Sequence, residues 1–184
     1  MATQVAAPAD LTELVRSTVD DYLAEKERAR TKKMALIATK GTLDMAYPPL
    51  ILATTAASLG WDVGIFFTFY GLTILHKTKG KHMKVAPLGN PAMPMPVPNL
   101  IGAIPGMTAM GTTIMKSMFK SHGVASIDDL LEASVDTGVR LIPCAMTMEV
   151  FGFKEGDFIK EAEAPCGAAT FIDWAQNADI CMFI

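Results

Sequence analysis

Cysteine is scarce in this chain: Cys144, Cys166 and Cys181 are the only three in 184 residues, an odd set without paired spacing. That excludes a disulfide scaffold, and the absence of a Cys-x-x-Cys pair argues against a thioredoxin-type dithiol. An excess of positive charge is missing too. The net charge of −3 and pI near 5.6 leave no basic footprint for a nucleic-acid partner. No Gly-x-Gly-x-x-Gly follows the first apolar run and no P-loop lysine motif occurs, so nucleotide binding loses its usual handles. His76, His82 and His122 do not show metal-ligand spacing, and no metal or other cofactor is expected. The opening Met-Ala-Thr-Gln shows neither the basic nor the apolar region of a secretion signal. A reducing cytoplasm is therefore the expected setting, and a lone thiol stays free there to do chemistry.

Apolar residues, by contrast, are plentiful. They make up 51% of the chain against 19% charged, with a mean hydropathy of +0.30, enough for one α/β domain with a real core. The hydropathy raises the membrane question. Val85 to Met115 carries no charge and exceeds the roughly 20 residues a spanning helix needs. Its first half, however, holds prolines every two to four residues (Pro87, Pro91, Pro94, Pro96, Pro98) and cannot be helical. A span is not expected, and contact with a membrane surface is kept as a minor alternative. The five methionines between Met93 and Met115 suggest an adaptable apolar surface over the core or at a subunit contact. His76, Lys77, Lys79, Lys81, His82 and Lys84 form a basic loop, solvated or able to steer an acidic protein.

The periodicities divide the chain into a tail with an amphipathic helix over 1–32 and an α/β domain over 33–184, with a Pro/Met-rich insertion at about 85–115. Leu11, Leu14, Val15, Val19, Tyr22 and Leu23 recur at helical spacing, with Asp10 and Glu13 as a capping-box variant. Met34–Ala38 reads as a strand buried on both faces, followed by a turn and a helix over 43–59 that Thr42 caps and Pro48 and Pro49 displace or kink. Val63–Phe69 reads as a second strand, and residues 107–120 as a helix. Ser126 caps a helix through Ser134, and Val139–Ile142 is a third strand. Phe158–Ala162 is a candidate short strand, 167–176 a helix, and Ile180–Ile184 a closing strand. Strand–helix alternation of this kind predicts an open, mostly parallel sheet with helices on both faces.

Ligands of such sheets gather at the carboxyl ends of strands, near the point where strand order reverses. Three strand ends carry unusual residues: Thr39-Lys40-Gly41, Tyr70-Gly71 and Pro143-Cys144. A cysteine between a strand and a helix meets unpaired backbone N–H groups that lower its pKa, and Lys40 one strand end away would add a cation. Glu149 would oppose that ionisation if it approached. Cys181, inside the last apolar strand, reads as core. Cys166 reads as a small residue opening a helix or as a second reactive thiol.

Three segments carry a family likeness: Lys33-Met-Ala-Leu-Ile-Ala-Thr-Lys-Gly-Thr-Leu-Asp44, Phe66-Phe-Thr-Phe-Tyr-Gly71 and Cys144-Ala-Met-Thr-Met-Glu-Val-Phe-Gly152. In these the chain resembles the DsrE/DsrF/DsrH-like family, closest to its longer single-chain members, over about Lys33 to Ile184. The resemblance implies a flavodoxin-like three-layer sandwich that assembles into homo-oligomers. It also implies a cytoplasmic sulfur-trafficking role, in which one cysteine holds sulfur as a persulfide or related adduct. The partners it implies are a TusA-like carrier and a rhodanese-like sulfurtransferase. Carried over, the sulfur-binding cysteine is Cys144; a thiol at Cys166 is not part of the family pattern. The peroxiredoxin label given to some members finds no Thr/Pro-rich peroxidatic motif around Cys144.

The expected function is thus sulfur carrier or sulfurtransferase, with Cys144 as nucleophile and Lys40, Thr39, Gly41 and Tyr70 holding an anionic adduct. Two alternatives stand beside it: a thiol redox enzyme using Cys144 and Cys166, and a non-catalytic assembly protein built on the N-terminal helix and the Met-rich segment.

Overall fold

Continuous apolar runs form strands only where both faces are covered, and this is how the central runs fold. β1 (Lys33–Ala38), β2 (Asp62–Phe67), β3 (Arg140–Pro143) and β4 (Ile180–Phe183) pair in the order β3-β2-β1-β4. All three pairings are parallel, with Leu36 opposite Ile65 and Met182, and Ile65 opposite Leu141. Strand order reverses between β1 and β4. The computed structural model describes residues 8–86 and 106–184. The Pro/Met-rich stretch from 87 to 105, and any cover it gives Cys144, lies outside them.

The chain divides into two units, Met1–Thr31 and Lys32–Ile184. The first contains α1 (Pro8–Ala29), whose apolar stripe from Leu11 to Leu23 is exposed. The helix begins at Pro8, so Asp10 falls inside its first turn rather than capping it.

In the second unit, α2 (Leu43–Ser58) and α4 (Ile127–Asp136) cover one face of the sheet, and α3 (Met107–Ser121) sets Met115 and Phe119 against the margin of that core. Leu36, Leu50, Ile65, Phe67 and Leu141 are fully buried there, each worth about 1.5–3 kcal/mol of burial. Tyr47 of α2 meets Phe119 of α3 edge-on at 4.7 Å. α4 carries the capping box expected at Ser126: its hydroxyl accepts from the Asp129 N–H, and the Asp129 carboxylate accepts from the Ser126 N–H. At α2 the cap is positional only. Thr42 occupies the N-cap, but its hydroxyl is buried without a hydrogen-bond partner among the described residues. Pro48 and Pro49 both lie inside α2, which runs on through them to Ser58.

The other face is thinner. α6 (Ala168–Ala175) lays Phe171 on Phe66, stacked at 4.7 Å, and Trp174 over Gly64. A Cβ at Gly64 would stand 2.7 Å from the indole. Phe158–Ala162 is not a strand; Phe158 makes one antiparallel bridge to His76 and the chain then turns. Among the described residues, no helix is long and apolar enough to cross a membrane.

Candidate functional site

Cys144 follows β3 directly and is the N-cap residue of α5 (Ala145–Phe151). Its N–H donates to Phe67 O at 3.0 Å, extending the β2–β3 ladder by one residue, and its carbonyl accepts from Met148 at 3.1 Å to open the helix. Backbone bonds on both sides therefore fix the main chain that carries the thiol. Cys144 is only 3% exposed.

Two threonines complete the site. Thr68 ends β2 and Thr147 sits three residues past Cys144; both are buried, with their hydroxyls 3.1 Å apart. The Phe69 N–H donates to Thr147 Oγ1 at 3.1 Å. Phe69 has φ of +46°, the one non-glycine residue of positive φ among those described. This strain, of order 1–3 kcal/mol, turns the chain sharply out of β2 and holds Thr68 against Thr147.

Burial pushes the Cys144 thiol up, but the Thr147 hydroxyl and N–H, the Thr68 hydroxyl and the Met146 N–H together outweigh it. The result is a thiol held below its ordinary range by the polar groups of Thr147, Thr68 and Met146 beside it. α5 has only seven residues, so this is local hydrogen bonding rather than the field of a long helix.

The residues expected to bind an adduct are placed differently. Lys40 is exposed at the end of β1, with β2 between it and Cys144, and it is not among the groups that shift the thiol. Nor is Glu149. Thr39 donates its hydroxyl to Ile184 O at 2.9 Å and so anchors the end of the chain. Gly41 and Gly71 permit a close backbone approach: a Cβ at Gly41 would overlap Tyr70 O, and one at Gly71 would overlap Ala38 O. Tyr70 is exposed, its ring stacked on Phe151 of α5 at 5.8 Å. The sheet order explains the difference, because Cys144 lies at an outer strand, away from the reversal between β1 and β4.

The other thiols are also placed against expectation. Cys166 does not open a helix; α6 begins at Ala168, and Cys166 forms a parallel bridge with Cys144. Burial raises its thiol, followed by the neighbouring Cys144 and Glu163, with Arg140 opposing. Arg140 and Glu163 are joined by two bonds of 2.8 and 2.9 Å. Cys181 is exposed rather than core, because β4 is an edge strand whose outer face alternates out of the packing. No group of three or more His, Cys, Asp or Glu among the described residues is disposed to hold a metal.

Thr68 and Thr147 were missed in the sequence. A polar residue directly after an apolar strand, and a Cys-x-x-Thr spacing across a helix start, are the signals that point to them.

Comparison with known proteins gives a consistent picture. The model of the DsrE/DsrF/DrsH-like family matches residues 30–183. The sulfur carrier protein DsrE2 of Allochromatium vinosum is 50% identical over 159 residues, covering 83% of this chain and 98% of that protein. The uncharacterized protein YrkE of Bacillus subtilis is 28% identical over 165 residues, covering 84% of this chain and 98% of that protein.

Proposed function

The chain belongs to the DsrE/DsrF/DrsH-like family, and on that footing we propose that it is a sulfur carrier that loads Cys144. The observation that supports this reading is a buried thiol at the end of β3 and the start of α5, beside the paired hydroxyls of Thr68 and Thr147 and held below its ordinary range. In the loading step, the Cys144 thiolate attacks the outer sulfur of a donor persulfide. The donor S–S bond breaks, the donor leaves as thiolate, and Cys144 keeps the sulfur as a persulfide. The same polar groups serve the reverse step, stabilising Cys144 as the leaving thiolate. A cytoplasmic setting, homo-oligomers, and a TusA-like carrier and rhodanese-like sulfurtransferase as partners belong to this proposal. So do Thr39, Lys40, Gly41 and Tyr70 as the rim that receives the incoming donor.

Treatment with inorganic polysulfide is expected to add sulfur-sized mass increments that a reductant removes. Cys144→Ser is expected to abolish them and Cys181→Ser to leave them. Undiminished loading of the serine variant at 144 would end this reading.

A further inference from the structure

The carrier reading leaves one reactive group beside the site unused. Cys166 N–H donates to Pro143 O at 3.1 Å and Ala145 N–H donates to Cys166 O at 3.0 Å, the two bonds that bracket Cys144 in their parallel bridge. Directly opposed residues on parallel strands send their side chains to the same face, with backbones about 4.8 Å apart. That separation lies within the roughly 4.4–6.8 Å over which two cysteines can join covalently. Both thiols pack in the same small cluster with Phe66, Ile142 and Phe171. They differ in access: Cys144 is buried, whereas Cys166 is half-buried.

Sulfur exchange requires a thiolate to reach the sulfur it attacks. A persulfide on Cys144 lies within covalent reach of Cys166, whose more exposed thiol is the easier of the two for a protein acceptor to reach. We infer that Cys166 is a second sulfur station, which takes the sulfur from Cys144 and presents it to a protein acceptor. This rests on Cys144 carrying sulfur in the first place. In the step, the Cys166 thiolate attacks the outer sulfur of the Cys144 persulfide. One S–S bond forms on Cys166, one breaks at Cys144, and Cys144 departs as thiolate; the proton lost by Cys166 passes to solvent. Nothing is oxidised or reduced overall, so no further reactant is needed. The two environments favour this direction. Donors stabilise Cys144 as leaving group, while the less acidic Cys166 is the stronger nucleophile once ionised.

The test uses the full chain and its Cys144→Ser, Cys166→Ser and Cys166→Ala variants, the alanine variant guarding against a packing effect of serine. Each is loaded with inorganic polysulfide, then unloaded either to free cysteine or to ubiquitin carrying one engineered surface cysteine. Rapid alkylation and peptide mapping locate the sulfur. In the unaltered chain it is expected first on Cys144 and then on Cys166. In both Cys166 variants, unloading to the ubiquitin thiol is expected to slow about tenfold or more while unloading to free cysteine changes little. Wild-type rates to the ubiquitin thiol in those variants would overturn the relay and leave the carrier reading intact. So would a Cys144–Cys166 disulfide with released sulfide in place of a Cys166 persulfide. Undiminished loading of Cys144→Ser would overturn the carrier reading itself.

Discussion

The two faces of the sheet are built for different purposes. The face under α2 and α4 is deep and aliphatic, with Leu36, Leu50, Ile65 and Leu141 sealed from solvent. The face under α6 is a thin layer of Ala35, Phe66, Ile142 and Phe171, and it also holds Cys144 and Cys166. Cys181 pairs with Ala35 and so shares that side. All three thiols thus lie on the thin face, graded from buried Cys144 through half-buried Cys166 to exposed Cys181. A sulfur that must exchange partners needs a route to solvent, and a close-packed aliphatic layer provides none. The deep aliphatic packing and the three thiols are therefore divided between the faces.

That division can be broken most sharply on the thick face. Leu50→Ala is expected to cost about 2–5 kcal/mol of unfolding free energy in urea, while the folded fraction still loads sulfur. Loss of loading from a folded Leu50→Ala chain would contradict the separation. On the thin face, Gly64→Ala forces a methyl against the Trp174 ring and is expected to cost about 1–3 kcal/mol. A neutral outcome in the same titration would mean that α6 shifts freely.

A finer contrast lies within the site. Thr147→Val removes one hydroxyl donor from Cys144 and is expected to move the alkylation inflection of that thiol upward in pH. An unmoved inflection would leave Thr68 and the backbone N–H groups as the whole cause. Linkage carries the same asymmetry into stability. The folded Cys144 thiol ionises below its unfolded value, so its contribution is present above the unfolded pKa and lost as pH falls through the folded one. Cys166 has the opposite sign: its folded pKa is raised, so its contribution is held below the unfolded value and lost as pH rises through the folded one. Denaturation midpoints measured from neutral to alkaline pH should therefore diverge in opposite directions for Cys144→Ser and Cys166→Ser.

The smallest effect expected is at the strained turn. Phe69→Asn places a residue tolerant of positive φ where phenylalanine now sits. Stability is expected to hold or to rise by up to about 1 kcal/mol. A loss of more than that would show that the exposed Phe69 ring contributes more than its backbone costs.

Much of this could be read along the chain. The buried strands, the helix capped by Ser126 and the exceptional position of Cys144 all follow from local pattern, because periodicity and strand-end chemistry operate over a few residues. The errors share one feature. Lys40 as a neighbour of Cys144 and Cys181 as core each depended on which strands lie side by side, as did the unforeseen pairing of Cys166 with Cys144. Apolar character alone does not distinguish a central strand from an edge strand such as β4, and no local signal reports that β2 separates β1 from β3.

What the sequence determined by itself, then, is the α/β class, the family motifs and the place of Cys144 between β3 and α5. Each is carried by contiguous residues whose spacing dictates hydrogen bonding and burial. Only the tertiary structure decided what surrounds that residue. Thr68 arrives from another strand, Thr147 is drawn in by the strained turn at Phe69, and Cys166 returns from 22 residues downstream to pair with Cys144. Such long-range pairings follow from sheet order and register, which are set by how the whole core packs rather than by any one segment of the chain.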